Sequence, residues 1–190
     1  MEEQAGPSAA MRLGERESML VGAAVAGDKD AFGELYRMYA PRVYAIASGL
    51  VLNEDDALEV TQESFIRAWR ALPRFRQGSP FFPWLYAIVR NRCMSRLARR
   101  SRDRETVEFD ERLGGTLDDS PRIVEIRHDL SRAMTSLSPD HREIILLRHF
   151  QDLSYDEIAQ SLGCPIGTVM SRLHHARKAL ATAMAAWKEE

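Results

Sequence analysis

Leu153-Ser154-Tyr155-Asp156-Glu157-Ile158-Ala159-Gln160-Ser161-Leu162-Gly163-Cys164-Pro165-Ile166-Gly167-Thr168-Val169-Met170-Ser171-Arg172-Leu173 is the stretch that decides the fold. Ser154 with Glu157 three residues later is a capping box, so a helix is expected from Tyr155. Ile158, Ala159 and Leu162 give that helix an apolar side, and Gly163 stands where a left-handed C-terminal residue is expected. Cys164-Pro165 restarts a second helix, expected over Pro165 to Trp187, on which Val169, Leu173, Ala176 and Leu180 recur at steps of four, three and four. At about 100° per residue these fall on one stripe. Directly opposite lie Gly167, Ser171, His174 and Lys178, with Thr168 and His175 on the shoulder. Two helices joined by a three-residue turn containing glycine form a helix-turn-helix pattern. The outer face of the second helix has donors, short side chains and no carboxylate, which suits the major groove of DNA.

Working outward, helix-period spacing also marks Glu17 to Ala26, Lys29 to Leu50, Asp55 to Leu72, Phe82 to Arg102, Ile123 to Leu137 and Pro139 to Phe150. Ser138-Pro139 supplies a capping hydroxyl followed by a proline in the first turn. No segment reads as a strand. Between Arg104 and Arg122, Gly114-Gly115, Asp118-Asp119 and Ser120-Pro121 interrupt the pattern, which predicts a flexible acidic linker. The fold class expected is all-α: two small helical domains, residues 17–103 and 123–188, joined by a linker over 104–122 and preceded by a tail over 1–16.

The formal net charge of −2 conceals a strong segregation. Trp84 to Arg104 holds seven arginines against one aspartate, a net +6; Glu105 to Asp129 holds eight acids against three arginines, a net −5. Cys164 to Leu180 adds Arg172, Arg177 and Lys178 with no acid. Two basic helical surfaces flanking an acidic connector point to a long polyanion touched in two places.

The same composition excludes other classes. No apolar run approaches the ~20 residues that span a bilayer. Met1-Glu2-Glu3-Gln4 is acidic and lacks the order of a secretory signal, and the two cysteines, Cys93 and Cys164, have no metal-ligand spacing. A reducing cytoplasm is therefore the expected compartment. His174 and His175 project about 100° apart, and His141 and His149 stand eight residues apart, so neither pair has the spacing of a helical zinc site. Without a P-loop, a nucleophile elbow or a dinucleotide fingerprint, no catalytic constellation, metal or cofactor is expected. A stand-alone helix-turn-helix regulator is the competing reading of the C-terminal half.

The motifs become specific when taken together. Leu137-Ser138-Pro139-Asp140-His141-Arg142, Leu146-Leu147-Arg148, the stretch quoted above and His175-Ala176-Arg177 closely resemble region 4 of bacterial sigma factors of the extracytoplasmic-function (ECF) group. That resemblance implies recognition of the promoter −35 element by Thr168, Ser171, Arg172, His174, His175, Arg177 and Lys178. The family commonly has arginine where Met170 and His175 stand. Asp56 to Leu72 resembles sigma region 2.2, which implies a helix gripping core RNA polymerase through Glu59, Gln62, Glu63, Ile66 and Arg70. On that helix the pattern predicts Ala57, Leu58, Thr61, Phe65, Ala68 and Leu72 as the buried side.

Phe75 to Cys93 interleaves aromatics with arginines. Such a mixture suits unpaired DNA, where rings stack on bases and guanidiniums hold phosphates, although Trp84, Leu85 and Ile88 share one stripe and are expected to pack inward. The resemblance implies that Gln77, Gly78, Ser79 and Asn91 act in −10 recognition and melting, with Arg92, Arg96, Arg99 and Arg100 on backbone phosphates. The implied partners are core RNA polymerase, promoter DNA and, as is frequent in the family, an anti-sigma factor.

Overall fold

Each helix begins and ends where local chemistry dictates. The structure, a computed structural model, describes residues 9–103, 130 and 132–186. In chain order these form α1 (Ala9–Val25), α2 (Lys29–Val51), α3 (Glu54–Ala71), a 3₁₀ turn (Leu72–Arg74) and α4 (Phe81–Asp103). After the interval come α5 (residues 132–136), α6 (Pro139–Ile145) with a π turn (Leu146–Phe150), α7 (Tyr155–Leu162) and α8 (Ile166–Ala186). Every regular element among the described residues is helical. The expected linker, residues 104–122, and most of the helix expected over Ile123 to Leu137 lie outside them. Helix α1 starts eight residues before the expected Glu17, because Ala9 to Leu13 and Arg16 are sound helix formers as well as tail residues.

Asp28 caps α2 by accepting from the Asp30 and Ala31 amides at 2.8 and 3.1 Å, and Asn53 caps α3 by accepting from the Asp56 amide at 2.9 Å. Between the two helices Leu52 takes a left-handed φ of 55° with its side chain buried. The last carbonyls of a helix have no partner within it. Here distant arginines supply donors: Arg142 Nη1 to Leu50 O at 2.7 Å and Arg100 Nη1 to Val51 O at 3.4 Å.

The capping box is made as the spacing predicts. The Glu157 amide donates to Ser154 Oγ, and the Ser154 amide donates to Glu157 Oε2 at 2.8 Å. Gly163 closes α7 at φ 62° while the Cys164 amide reaches Ala159 O at 3.1 Å. Helix α8 starts one residue later than expected, because Pro165 O already receives the Thr168 and Val169 amides and makes proline the capping position. Hydrogen bonds from Ser154 hold the Glu157 carboxyl below its usual range. A carboxyl so shifted contributes stability above its unfolded pKa and loses it as pH falls through the lowered folded value. Ser154→Ala should cost about 1 kcal/mol at neutral pH, and thermal melts toward about pH 4 should show wild type and variant converging.

One continuous core runs through both halves. Leu35, Val43, Ile46, Leu50, Phe65, Leu72, Leu85 and Val89 from α2 to α4 share it with Ile144, Leu147, Ile158, Val169 and Leu173. The aromatics between Phe75 and Tyr86 lie mostly within it: Phe75, Phe81, Phe82 and Tyr86 are buried, and Trp84 packs edge-on to Phe75 with ring centroids 5.0 Å apart. Leu85 is fully buried, while Trp84 and Ile88 are half-buried beside it. The expected stripe thus packs inward fully at Leu85 and partly at Trp84 and Ile88.

Candidate nucleic-acid interface

Val169, Leu173 and Ala176 are buried and fix the rotation of α8. With that side anchored, Ser171, His174, His175, Arg177 and Lys178 are exposed, and Thr168 and Arg172 are half-buried at the flanks. No carboxylate interrupts this face. Arg177 Nε donates to His149 Nε2 at 3.2 Å. Burial, then the Arg177 and Arg148 charges, lower the His149 pKa, so the neutral imidazole that accepts this bond is favoured at neutral pH. Two apolar residues that the patterning did not single out join the same surface: Ile166 and Met170 are exposed one turn apart near the start of the helix. Exposed apolar side chains at that end can touch a thymine methyl group. An open groove between α6 and α8 also sets His141 beside His175 and Lys178, which links α6 to this exposed face.

The second basic helix is organised differently. Asn91 and Arg99 are exposed on α4, and Gln77, Gly78 and Ser79 are exposed on the loop before it, with Gly78 at φ 82°. Arg92, Arg96 and Arg100, one turn apart, face the acids of α3. Arg92 pairs with Glu63, Arg96 with Asp56 and at 3.3 Å with Glu59, and Arg100 with Asp56 at 3.2 Å. Residues expected on polymerase thus sit against residues expected on DNA, an adjacency the sequence reading missed. A signal for it was present, since both triplets recur at helical spacing with opposite charge.

On the outer side of α3, Glu59, Gln62, Ile66 and Arg70 are exposed and Glu63 is half-buried. Leu58 corrects the sequence reading, because it is half-exposed rather than buried. Val60 and Ser64 turn inward instead, which rotates the buried stripe so that Leu58 lines up with Gln62 and Ile66. The exposed face is therefore more apolar than the pattern suggested.

Comparison with known proteins matches residues 35–103 to sigma-70 region 2 and residues 127–180 to sigma-70 region 4. The chain is 34% identical over 184 residues to the RNA polymerase sigma-H factor of Pseudomonas aeruginosa, covering 90% of this chain and 94% of that protein. It is 36% identical over 176 residues to the ECF RNA polymerase sigma-E factor of Escherichia coli K12, covering 86% of this chain and 92% of that protein. The chain belongs to the ECF group of the sigma-70 family. Among solved structures, the Bartonella quintana sigma factor RpoE in complex with the anti-sigma factor NepR matches with a TM-score of 0.67 at 30% identity, covering 83% of this chain and 98% of that one. CnrH in complex with the cytosolic domain of CnrY shares the fold, with a TM-score of 0.71 at 24% identity over 90% of this chain and 98% of that one.

Within this sigma factor, region 2 carries the exposed apolar face of α3 and the arginines of α4, and region 4 carries the helix-turn-helix. No helix among the described residues is long and apolar enough to cross a membrane. Cys93 is buried, and burial pushes its thiol up to about 12. A thiol so shifted stays protonated and unreactive at neutral pH, which makes it a packing residue.

Proposed function

We propose that this sigma factor directs core RNA polymerase to promoters of the ECF type, reading the −35 element with region 4 and opening the −10 element with region 2. The observation that carries the reading is the exposed, carboxylate-free face of α8, held outward by a buried stripe on a capped helix-turn-helix. Thr168, Ser171, Arg172, His174, His175, Arg177 and Lys178 contact the −35 duplex. Gln77, Gly78, Ser79 and Asn91 take the unpaired −10 strand, and Arg92, Arg96, Arg99 and Arg100 hold its phosphates. Glu59, Gln62, Glu63, Ile66 and Arg70 meet core polymerase, with Leu58 extending the apolar centre of that contact. Bond-making chemistry belongs to the polymerase, the setting is the bacterial cytoplasm, and an anti-sigma factor is a further partner. The complex of the related Bartonella factor with NepR supports that last point.

Run-off transcription with core polymerase on a promoter library tests the reading. The wild-type chain should initiate from a defined promoter class, and initiation that stays dependent on another specificity subunit would sink the proposal. Lys178→Ala should weaken promoter binding by the holoenzyme about fivefold, as expected for one lost phosphate contact, while core binding stays unchanged.

A further inference from the structure

Helix α8 presents an apolar patch at its N-terminal end, the end at which a recognition helix meets base edges. Ile166, Met170, His174 and Lys178 recur every four residues, so they form one ridge along the helix, and all four are exposed. The first two are large apolar side chains, 41% and 54% exposed. A helical side chain leans back over the turn before it, so Met170 lies beside Ile166 and the pair makes a single patch. Val169 and Leu173, buried on the core side, fix its outward direction.

The surroundings of the patch suit the wall of a DNA groove. Gly167 and Ser171 head the next ridge and are short, so the patch stands clear of its neighbours. A Cβ at Gly167 would find no packing partner within 4 Å, so the protein interior does not require the bare backbone there. No acid occurs from Ile166 to Ala186, while Arg172, Arg177 and Lys178 give α8 three formal positive charges. A polyanion is the partner that this charge complements. Among the four bases of DNA, only thymine offers an apolar group in the major groove, its C5-methyl. The ridge thus passes from two apolar groups at the base-reading end to His174 and Lys178, which can donate to base edges or phosphates.

We infer that Ile166 and Met170 read thymine C5-methyl groups in the −35 element, so that the promoters this factor selects carry thymine at the one or two positions facing the patch. The inference deepens the −35 reading proposed above and rests on it. Burying one methyl group is worth about fourfold in affinity. The unbranched thioether of Met170 adapts readily to such a contact.

Uracil, which is thymine without that methyl group, supplies the test. Holoenzyme made from core polymerase and the full-length chain first selects its −35 sequence from a randomised promoter library. Each thymine of the selected element is then replaced singly by uracil, and holoenzyme affinity is measured. Uracil at one or two positions should weaken wild-type binding about fourfold. Met170→Ala, at an exposed site and with better helix propensity, should bind the thymine promoter about as weakly as wild type binds the uracil one. It should also lose the uracil penalty at one position, the non-additivity that marks a direct contact. Met170→Leu should keep the penalty, and Met170→Arg should shift the selected base toward guanine, which arginine contacts through O6 and N7. A selected element without thymine, or a penalty unchanged in both Met170→Ala and Ile166→Ala, overturns the inference. So does a loss of core binding with the penalty intact, which gives the patch to a protein partner. Run-off transcription from the unmodified promoter reads the sigma assignment separately, and a factor that initiates there with no uracil penalty fails only in its base reading.

Discussion

Arg142→Ala should destabilise the protein by about 4 kcal/mol, the largest loss expected from any single charged residue in region 4. Arg142 is 5% exposed, and its partners are backbone oxygens, not carboxylates. Its Nε donates to Met134 O at 3.0 Å, and its Nη atoms donate to Leu137 O at 3.0 Å, Leu50 O at 2.7 Å and, more weakly, Thr135 O at 3.5 Å. Most of these are carbonyls that the ends of α5 and α2 leave without helical partners; Met134 O also accepts from the Leu137 amide at 3.3 Å. Burial lowers the guanidinium pKa to about 10, yet at neutral pH the cation persists, so its donors work at full charge. Alanine would orphan several buried acceptors at once, each costing about 1–3 kcal/mol. Lysine should recover little, because one ammonium cannot span the fork that reaches carbonyls on two helices. Urea unfolding at constant m-value measures the loss, and a change below about 1 kcal/mol would refute the role.

Why that residue escaped the sequence reading shows where periodicity stops. His141-Arg142-Glu143 reads locally as the polar side of a short amphipathic helix, and a solvated arginine and glutamate would give the same pattern. Their burial comes from partners 92 and 57 positions away, Leu50 and Tyr86, which no local window contains. The π turn at Leu146–Phe150 was equally silent, since a shift to i→i+5 bonding leaves no composition mark. What was legible obeyed rules of a few residues' range: Ser154 with Glu157, Gly163, and the stripe through Val169, Leu173 and Ala176. The exposed face of α8 followed from that stripe, because burying one side of a helix exposes the other. Leu58 failed by the same logic, since rotating a stripe by one position exchanges an inner residue for an outer one.

Asp56→Asn should lower stability by about 3 kcal/mol and at the same time strengthen binding to single-stranded DNA. The Asp56 carboxylate is 4% exposed and answers both Arg96 and Arg100. Removing one partner of a buried pair leaves its charge uncompensated, typically at about 3–5 kcal/mol. The lower end applies here because the Arg96 side chain, 30% exposed, can turn to water. At about 2–4 °C per kcal/mol for a chain of this size, the midpoint should fall by roughly 6–12 °C. The asparagine amide keeps the shape of the site but removes the Asp56 charge from both guanidiniums, leaving Arg96 its weaker contact with Glu59 at 3.3 Å, so phosphates compete for them on better terms. The slope of log K against log salt on a −10 single strand should therefore steepen by about one to two charges. Were Arg96 and Arg100 purely structural, the variant would melt early with an unchanged slope. If both contribute to phosphate binding, α3 holds them in the right place while limiting their affinity for DNA, and loss of stability with gain of salt dependence is the combination only that double role produces.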